Sequence, residues 1–279
     1  MQLATIRTAG RTAAVRREGD VAIEIEAADV GVLLADPTWK ARAQGAEGPA
    51  HEVIGIDFAP LVPKPEKVLC VGLNYRSHIA EMGHPFPDYP TLFAKYPPAL
   101  IGAGDDIMLP PESEAMDWEA ELALVIGAPL RRASAAEAVA GIAGYSVFND
   151  VSARDWQRRT SQFLQGKTFE ATSPLGPWLV TTDDPGARAG HFPIRCDVSG
   201  QRMQEADTAD LLFDPVAIVQ YCSTILTLRP GDVIATGTPA GVGAGRTPPR
   251  WLAQGDEGVT RSEGIGELRN RCRLDGTGV

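Results

Sequence analysis

The sequence predicts an α+β fold in which strands outnumber helices. Short apolar runs of strand type recur at 67–72, 117–126, 144–150 and 233–236, bounded by glycine, proline or polar residues. Helical signals are fewer. The pattern Ser134-Ala135-Ala136-Glu137 is a capping box ahead of an alanine-rich stretch, and Asp214-Pro215 caps a stripe of Ile218, Val219, Cys222, Ile225 and Leu226. The stiff phrase Pro63-Lys64-Pro65 sets a small β-rich N-terminal domain, 1–64, apart from a larger one, 65–279, because successive prolines disfavour regular pairing.

Within the first domain, 3–7 and 12–15 read as strands of a hairpin around Ala9-Gly10, followed by a helix near 29–34. The run 67–72 is a buried strand. After it Ser77 starts a short helix that Gly83 ends, which puts His78 and Glu81 on one face. A carboxylate beside an imidazole fixes its tautomer and raises its basicity, as a water-activating base requires. A chance pair on any short helix is the competing reading. The proline-rich 84–90 suits a loop beside a site, and 91–95 a strand that a Pro97-Pro98 turn ends.

The densest chemistry lies between Met116 and Asp150. In an extended strand Glu119 and Glu121 point the same way, beside Ala123 and Val125. Two carboxylates buried together are costly, and a bound cation removes the cost. Asp150 ends a second apolar run and supplies a third oxygen if the two strands are neighbours. Such a set suits hard ions such as Mg²⁺, Mn²⁺ or Ca²⁺ rather than zinc. A helix over 117–126, with both glutamates in solvent, is the alternative, since Glu, Ala and Leu are good helix formers.

Beyond Asp150, a helical turn presents Arg154 and Gln157 to one cavity, as an anion fork and an amide donor. An arginine that merely pairs with a nearby acid is the other reading. Lys167 follows a glycine and can approach an anion closely, or is an ordinary exposed lysine. Ser199-Gly200 turns a hairpin, and the tight loop 237–241 offers amides and the Thr238 hydroxyl to a carboxylate. Two nucleotide motifs fail. Ser161 stands where a P-loop ending in Gly166-Lys167-Thr168 needs glycine, and 241–246 lacks the last glycine of a dinucleotide fingerprint.

The formal net charge of −10 argues against general nucleic-acid binding and offers no basic membrane patch. No apolar run reaches the length of a membrane span, and the N-terminus lacks a signal-peptide pattern, so the chain reads as cytoplasmic. Cys70, Cys196, Cys222 and Cys272 are scattered and read as reduced packing residues.

Five phrases, taken together, resemble the fumarylacetoacetate hydrolase family from about Val68 to Arg271. They are Val71-Gly72-Leu73-Asn74-Tyr75 with His78 and Glu81; Glu119-Ala120-Glu121-Leu122; 149–155; Gly166-Lys167-Thr168-Phe169; and 230–239. The resemblance implies a mixed β-sandwich roll, usually a homodimer, with Mg²⁺ or Mn²⁺ on Glu119, Glu121 and Asp150. No acidic residue lies between Cys70 and His78, so the chain looks like the three-carboxylate branch. His78 and Glu81 then match a catalytic dyad on a helix that closes over substrate, Lys167 an active-site lysine, and Arg154, Gln157 and Thr238 substrate contacts. At 258–263 the chain departs from the alternating apolar strand usual there.

The activity implied first is hydrolysis of a carbon-carbon bond in an acylpyruvate such as fumarylpyruvate, a small anionic 2-oxo acid. Oxaloacetate decarboxylation and isomerisation of a 2-hydroxydienedioate use the same site. A ligand-binding protein on this fold is the non-enzymatic alternative, and the presence of both His78 and Glu81 argues against it.

Overall fold

Every residue of the strand Ala120–Ile126 is buried, so it lies inside a layer covered on both faces. The structure, a computed structural model, describes residues 1–187 and 190–276. Among these, the larger sheet runs in the order Ala50–Glu52, Val21–Glu24, Arg11–Glu18, Gln2–Thr8, Ser173–Thr181, Ile142–Asn149, Ala120–Ile126, Val233–Ala235, Val68–Gly72 and Thr91–Lys95. Leu100–Ile101 adds in parallel to Ser173–Thr181. A smaller sheet runs Gln201–Asp207, Pro193–Val198, Glu257–Ser262, Gly266–Leu274 and Ile107–Leu109. Most pairs are antiparallel, but Val233–Ala235 runs parallel to Val68–Gly72 and Gly266–Leu274 parallel to Ile107–Leu109. The middle strands of the larger sheet pack across the smaller one, which gives the mixed β-sandwich. The N-terminal strands continue the larger sheet, and Leu3 and Ala14 share a core with Ala123 and Leu179.

Two faces of Ala120–Ile126 do different work. Leu122, Leu124 and Ile126 enter one core and Ala123 and Val125 another, so Glu121 points with the second set, as alternation requires. The strand is shorter than 117–126: Met116–Asp117 instead bridges to Ser152–Ala153, and Trp118 and Glu119 join the two pieces. In register, Ala120 faces Asn149 and Glu121 faces Phe148. The Asp150 amide donates to the Glu119 carbonyl at 2.9 Å, so the end of Ile142–Asn149 delivers Asp150 beside both glutamates.

The helix Arg76–Glu81 starts one residue before Ser77, and no side chain caps it locally. Its anchoring carboxylate comes from far along the chain: the Ser77 amide donates to Asp210 at 3.0 Å. Leu73, at φ +54°, and the fully buried Asn74 turn the chain out of the preceding strand. Asn74 binds the Phe213 and Thr236 carbonyls and the Phe213 amide, which fixes where the helix begins. The Ser134 capping box forms with both of its bonds, and Asp214 caps Pro215–Ile225. That last helix has a narrower apolar face than the sequence implies, because Ile225 is exposed. Of the segment 258–263 all but Glu263 nevertheless lies in a strand, Glu257–Ser262, central in the smaller sheet, with Thr260 and Ser262 buried in place of large apolar residues.

Gly166 sets one distance that the site depends on. A Cβ there would lie 2.4 Å from the Gln157 amide and 2.6 Å from the Ala153 carbonyl, so only glycine lets Leu164–Lys167 pack onto Arg154–Gln157. Gly166→Ala is expected to destabilise the protein by about 1–3 kcal/mol in urea titrations, as overpacking does. A change within experimental error would mean that the two helices separate freely.

Candidate active site

Glu119, Glu121 and Asp150 converge at the head of the central strands, with ligand oxygens all within 4.8 Å of one another. All three are buried. Charge compensation comes from three cations. Lys167 Nζ lies 2.7 Å from Glu119 and 2.8 Å from Asp150, Lys95 Nζ lies 2.6 Å from the other Asp150 oxygen, and Arg154 Nη2 lies 2.6 Å from Glu119. Burial opposes the charge on Glu119, but Lys167 and Arg154 outweigh it and hold the carboxyl at about 2. Among the described residues, Glu121 has only the Gly237 amide, at 2.8 Å, as hydrogen-bond partner. Burial, Asp150 and Glu119 push its carboxyl well above the ordinary carboxylate range. An all-oxygen donor set with one carboxyl driven toward its neutral form is a place where a hard divalent cation relieves the repulsion. The residues present fit such an ion.

Across a cavity of about 350 Å³, whose lining includes Glu119, Glu121, Arg154 and Lys167, stands His78. Its Nδ1 is 3.0 Å from Glu81 Oε2, and the other Glu81 oxygen accepts from the Gly241 amide at 2.9 Å. Burial favours the neutral Glu81 acid, but the His78 hydrogen bond and the Gly241 amide more than offset it and hold Glu81 below the usual range. Glu81 is therefore an acceptor near neutrality, and an Nδ1–H donated to it would leave Nε2 as the ring's acceptor atom. Val71, Phe93, Phe163 and Val242 line the apolar side of the cavity.

Arg154 and Gln157 meet as the sequence implies, at 2.9 Å, but the guanidinium is already committed elsewhere. Its Nε binds Asp117 Oδ2 at 2.8 Å. The two readings of Arg154 are thus both realised: it lines the cavity and it pairs with acids. Thr238 also lines the cavity, with its hydroxyl donating to the Ala120 carbonyl and accepting from Gln204. Within 237–241 the Gly237 and Gly241 amides bind this chain's own carboxylates, Glu121 and Glu81, rather than standing free for a ligand. Lys167 is buried, not an exposed lysine, with Nζ 4.9 Å from the centre of the Phe93 ring.

Several residues of the site escape sequence reasoning. Lys95, fully buried at the end of Thr91–Lys95, reads from sequence only as a strand terminus. Asp117 accepts from the Trp118, Gly243 and Ala244 amides as well as from Arg154, tying the 243–245 loop to the cluster. Gln204 reaches over from the smaller sheet to the Ala120 amide and the Pro239 carbonyl. The signal for Asp117 and Lys95 was a charged residue inside an apolar strand-like run. The four cysteines are free and buried.

A buried three-carboxylate cluster that could hold a divalent cation faces an imidazole-carboxylate pair across one cavity, an arrangement chemically able to move protons. The chain belongs to the fumarylacetoacetate hydrolase family: residues 67–273 match the family described as Fumarylacetoacetate (FAA) hydrolase C-terminal. It is 43% identical over 232 residues to the Bos taurus protein named oxaloacetate tautomerase FAHD2B, mitochondrial, which spans 82% of this chain and 74% of that one. Among solved structures, a fumarylacetoacetate hydrolase from Exiguobacterium antarcticum superposes with a TM-score of 0.86 at 31% identity, covering 98% and 99% of the two chains. A 5-carboxymethyl-2-hydroxymuconate delta-isomerase from Mycobacterium smegmatis superposes with 0.81 at 35% identity, covering 99% and 100%. No helix among the described residues is long and apolar enough to cross a membrane. The bovine relative's name places it in mitochondria, whereas the sequence alone reads as cytoplasmic.

Two outcomes follow from the charge balance. Lys95→Met leaves Asp150 with Lys167 alone and is expected to cost about 3–5 kcal/mol without metal, partly recovered in Mg²⁺, by denaturant titration with and without EDTA. For Glu121, a folded-state value raised above the unfolded one contributes stability below the unfolded value and loses it as pH rises through the folded value. The metal-free protein should therefore lose melting temperature as pH climbs above the ordinary carboxylate range, and the rise in Tm on adding Mg²⁺ should grow with pH. A Mg²⁺ increment independent of pH would show that the ion does not engage Glu121.

Proposed function

We propose that this protein is a divalent-metal-dependent tautomerase of 2-oxo dicarboxylic acids, with oxaloacetate as its substrate. One observation carries the reading: of the two imidazoles that line the cavity, His78 and His84, it is His78 whose Nδ1 is held by Glu81 and which faces the carboxylate cluster. Moving a proton between the enol oxygen and the adjacent carbon needs one base that can return what it takes. The names of the bovine relative and the isomerase structure, which refer to tautomerisation and isomerisation, support this choice over hydrolysis.

Mg²⁺ or Mn²⁺ on Glu119, Glu121 and Asp150 would supply Lewis-acid stabilisation of an enolate. The chain's own groups do the rest. In the ketonising direction His78 Nε2 takes the enol O–H proton and leaves the enolate. As an oxygen electron pair closes the C2=O bond, the C2=C3 pair moves to C3 and takes the same proton from the imidazolium, so one proton moves from oxygen to carbon. Glu81 steadies the imidazolium. Burial opposes the charge of Lys167, but Asp150 and Glu119 raise its value further, so it stays cationic beside developing negative charge. The apolar wall of Val71, Phe93 and Phe163 limits water access to the intermediate.

Acylpyruvate hydrolysis is the second reading. The likeness to the Exiguobacterium antarcticum hydrolase favours it, and so does a cavity with room for an acyl tail and a water. The same dyad would then activate that water. Ultraviolet decay of enol-oxaloacetate, with pyruvate measured in parallel, separates the possibilities. Enol decay without pyruvate is expected, abolished by EDTA and lowered at least about a hundredfold in His78→Ala, the usual range for loss of a general acid-base. Turnover only of fumarylpyruvate, with release of the matching acid, would install hydrolysis instead; pyruvate from oxaloacetate would mean decarboxylation.

A further inference from the structure

We infer that Arg158 is the specificity-determining residue that reads the second carboxylate of the substrate; the inference rests on the 2-oxo diacid reading of the site. Arg158 is the C-cap of the short helix that Arg154 begins, with its amide donating to the Arg154 carbonyl at 3.1 Å, and both residues line the cavity. Arg154 is spent on Asp117, Glu119 and Gln157, and Lys167 on Glu119 and Asp150. Arg158 has no side-chain hydrogen bond or ion pair among the described residues. Of the lysines and arginines lining the cavity, it is the one whose charge is uncommitted. The neighbouring Arg159 is engaged elsewhere, with its guanidinium 3.5 Å from the centre of the Trp156 ring.

Charge balance states what that free cation is for. With a divalent ion bound, Glu121 is ionised together with Asp117, Glu119 and Asp150, and these four carboxylates against Lys95, Lys167, Arg154 and the ion leave the buried cluster one positive charge in excess. The carboxylate of a 2-oxo monoacid cancels that charge by itself, and a diacid brings one negative charge more. A second carboxylate left unpaired in a half-desolvated cavity is costly. Arg158, at the outer end of the cavity wall, supplies the missing charge in a geometry suited to a carboxylate. Arg158 therefore sets the preference for dicarboxylic over monocarboxylic 2-oxo acids and leaves the chemical step to His78 and Glu81.

Malate and 2-hydroxybutanoate are unreactive chelators that differ by one carboxylate, and isothermal titration of both into Mg²⁺-loaded protein tests the inference without turnover. In Arg158→Gln, malate affinity is expected to fall on the order of tenfold to a hundredfold, the range for a hydrogen bond to a charged group, with 2-hydroxybutanoate unchanged. Arg158→Lys should recover part of the loss. Arg159→Gln, with unchanged selectivity, is the matched control. Equal loss for both ligands, or no loss for either, overturns the assignment. A kinetic arm compares kcat/KM for oxaloacetate with the rate of C3 proton exchange on 2-oxobutanoate, and the same one-sided loss is expected. If wild type binds malate through Arg158 yet does not ketonise oxaloacetate, the tautomerase reading fails while the diacid site stands. If wild type ketonises oxaloacetate and Arg158→Gln retains full preference for it, the reverse holds.

Discussion

Three carboxylates brought together in the middle of a β-sandwich repel one another, and the architecture around the cavity answers that repulsion. Without the buried ammonium groups of Lys95 and Lys167 and the guanidinium of Arg154, Glu119 and Asp150 could not both be ionised away from water. Each cation comes from a different element: the strand Thr91–Lys95, the helix Leu164–Lys167 and the helix Arg154–Gln157. The close contact at Gly166 is thus part of the electrostatics, since it seats Lys167 near Arg154. Compensation is uneven. Glu119 and Asp150 are matched, while Glu121 is left with one amide, and that imbalance makes the cluster receptive to a cation.

Asp117 carries the constraint outward to the acid-base side of the cavity. It is fully buried and holds Arg154 with one oxygen and the 243–245 loop with both. That loop abuts Glu81: a Cβ on Gly245 would lie 2.8 Å from the Glu81 carboxyl carbon, and the Gly241 amide donates to the same carboxylate. The orientation of the His78 ring is therefore connected to the carboxylate cluster through Glu81, the loop, Asp117 and Arg154. Disturbing the cluster reaches the base even though His78 touches none of the three carboxylates.

The sequence made the strand-borne part of this arrangement legible because a strand has only two faces. Glu119 and Glu121 two apart, and Asp150 ending a neighbouring apolar run, lead to a shared face once pairing is assumed. His78 and Glu81 three apart on a helix lead to a dyad by the same kind of arithmetic, and the capping box at Ser134 forms as local rules require. What stayed hidden depends on contacts between distant parts of the chain. Asp210 anchors the start of the dyad helix from more than a hundred residues away, and Gln204 crosses from the other sheet to the Ala120 amide. No local spacing encodes either partnership. The 237–241 loop illustrates the limit from the other side: its amides were recognisable as carboxylate binders, but that the carboxylates belong to Glu121 and Glu81 follows only from the sandwich.

The same accounting separates what the buried cluster can do from what the rim must do. Inside, every cation is matched to this chain's own acids, so under the proposed function the interior would take one divalent ion and one chelating carboxylate and would have little means of telling substrates apart. Discrimination has to come from groups with unspent charge or shape. Among the described residues these lie on the outer wall, where Arg158 stands uncommitted beside Gln157 and Thr160, and on the apolar side formed by Phe93 and Phe163. Under the proposed function, one interior that stabilises an enolate would serve tautomerisation, isomerisation or hydrolysis with the same imidazole-carboxylate pair, because only the disposition of the transferred proton and the presence of a water differ. The core of the sandwich would then set the chemistry, and a few residues at its mouth the substrate.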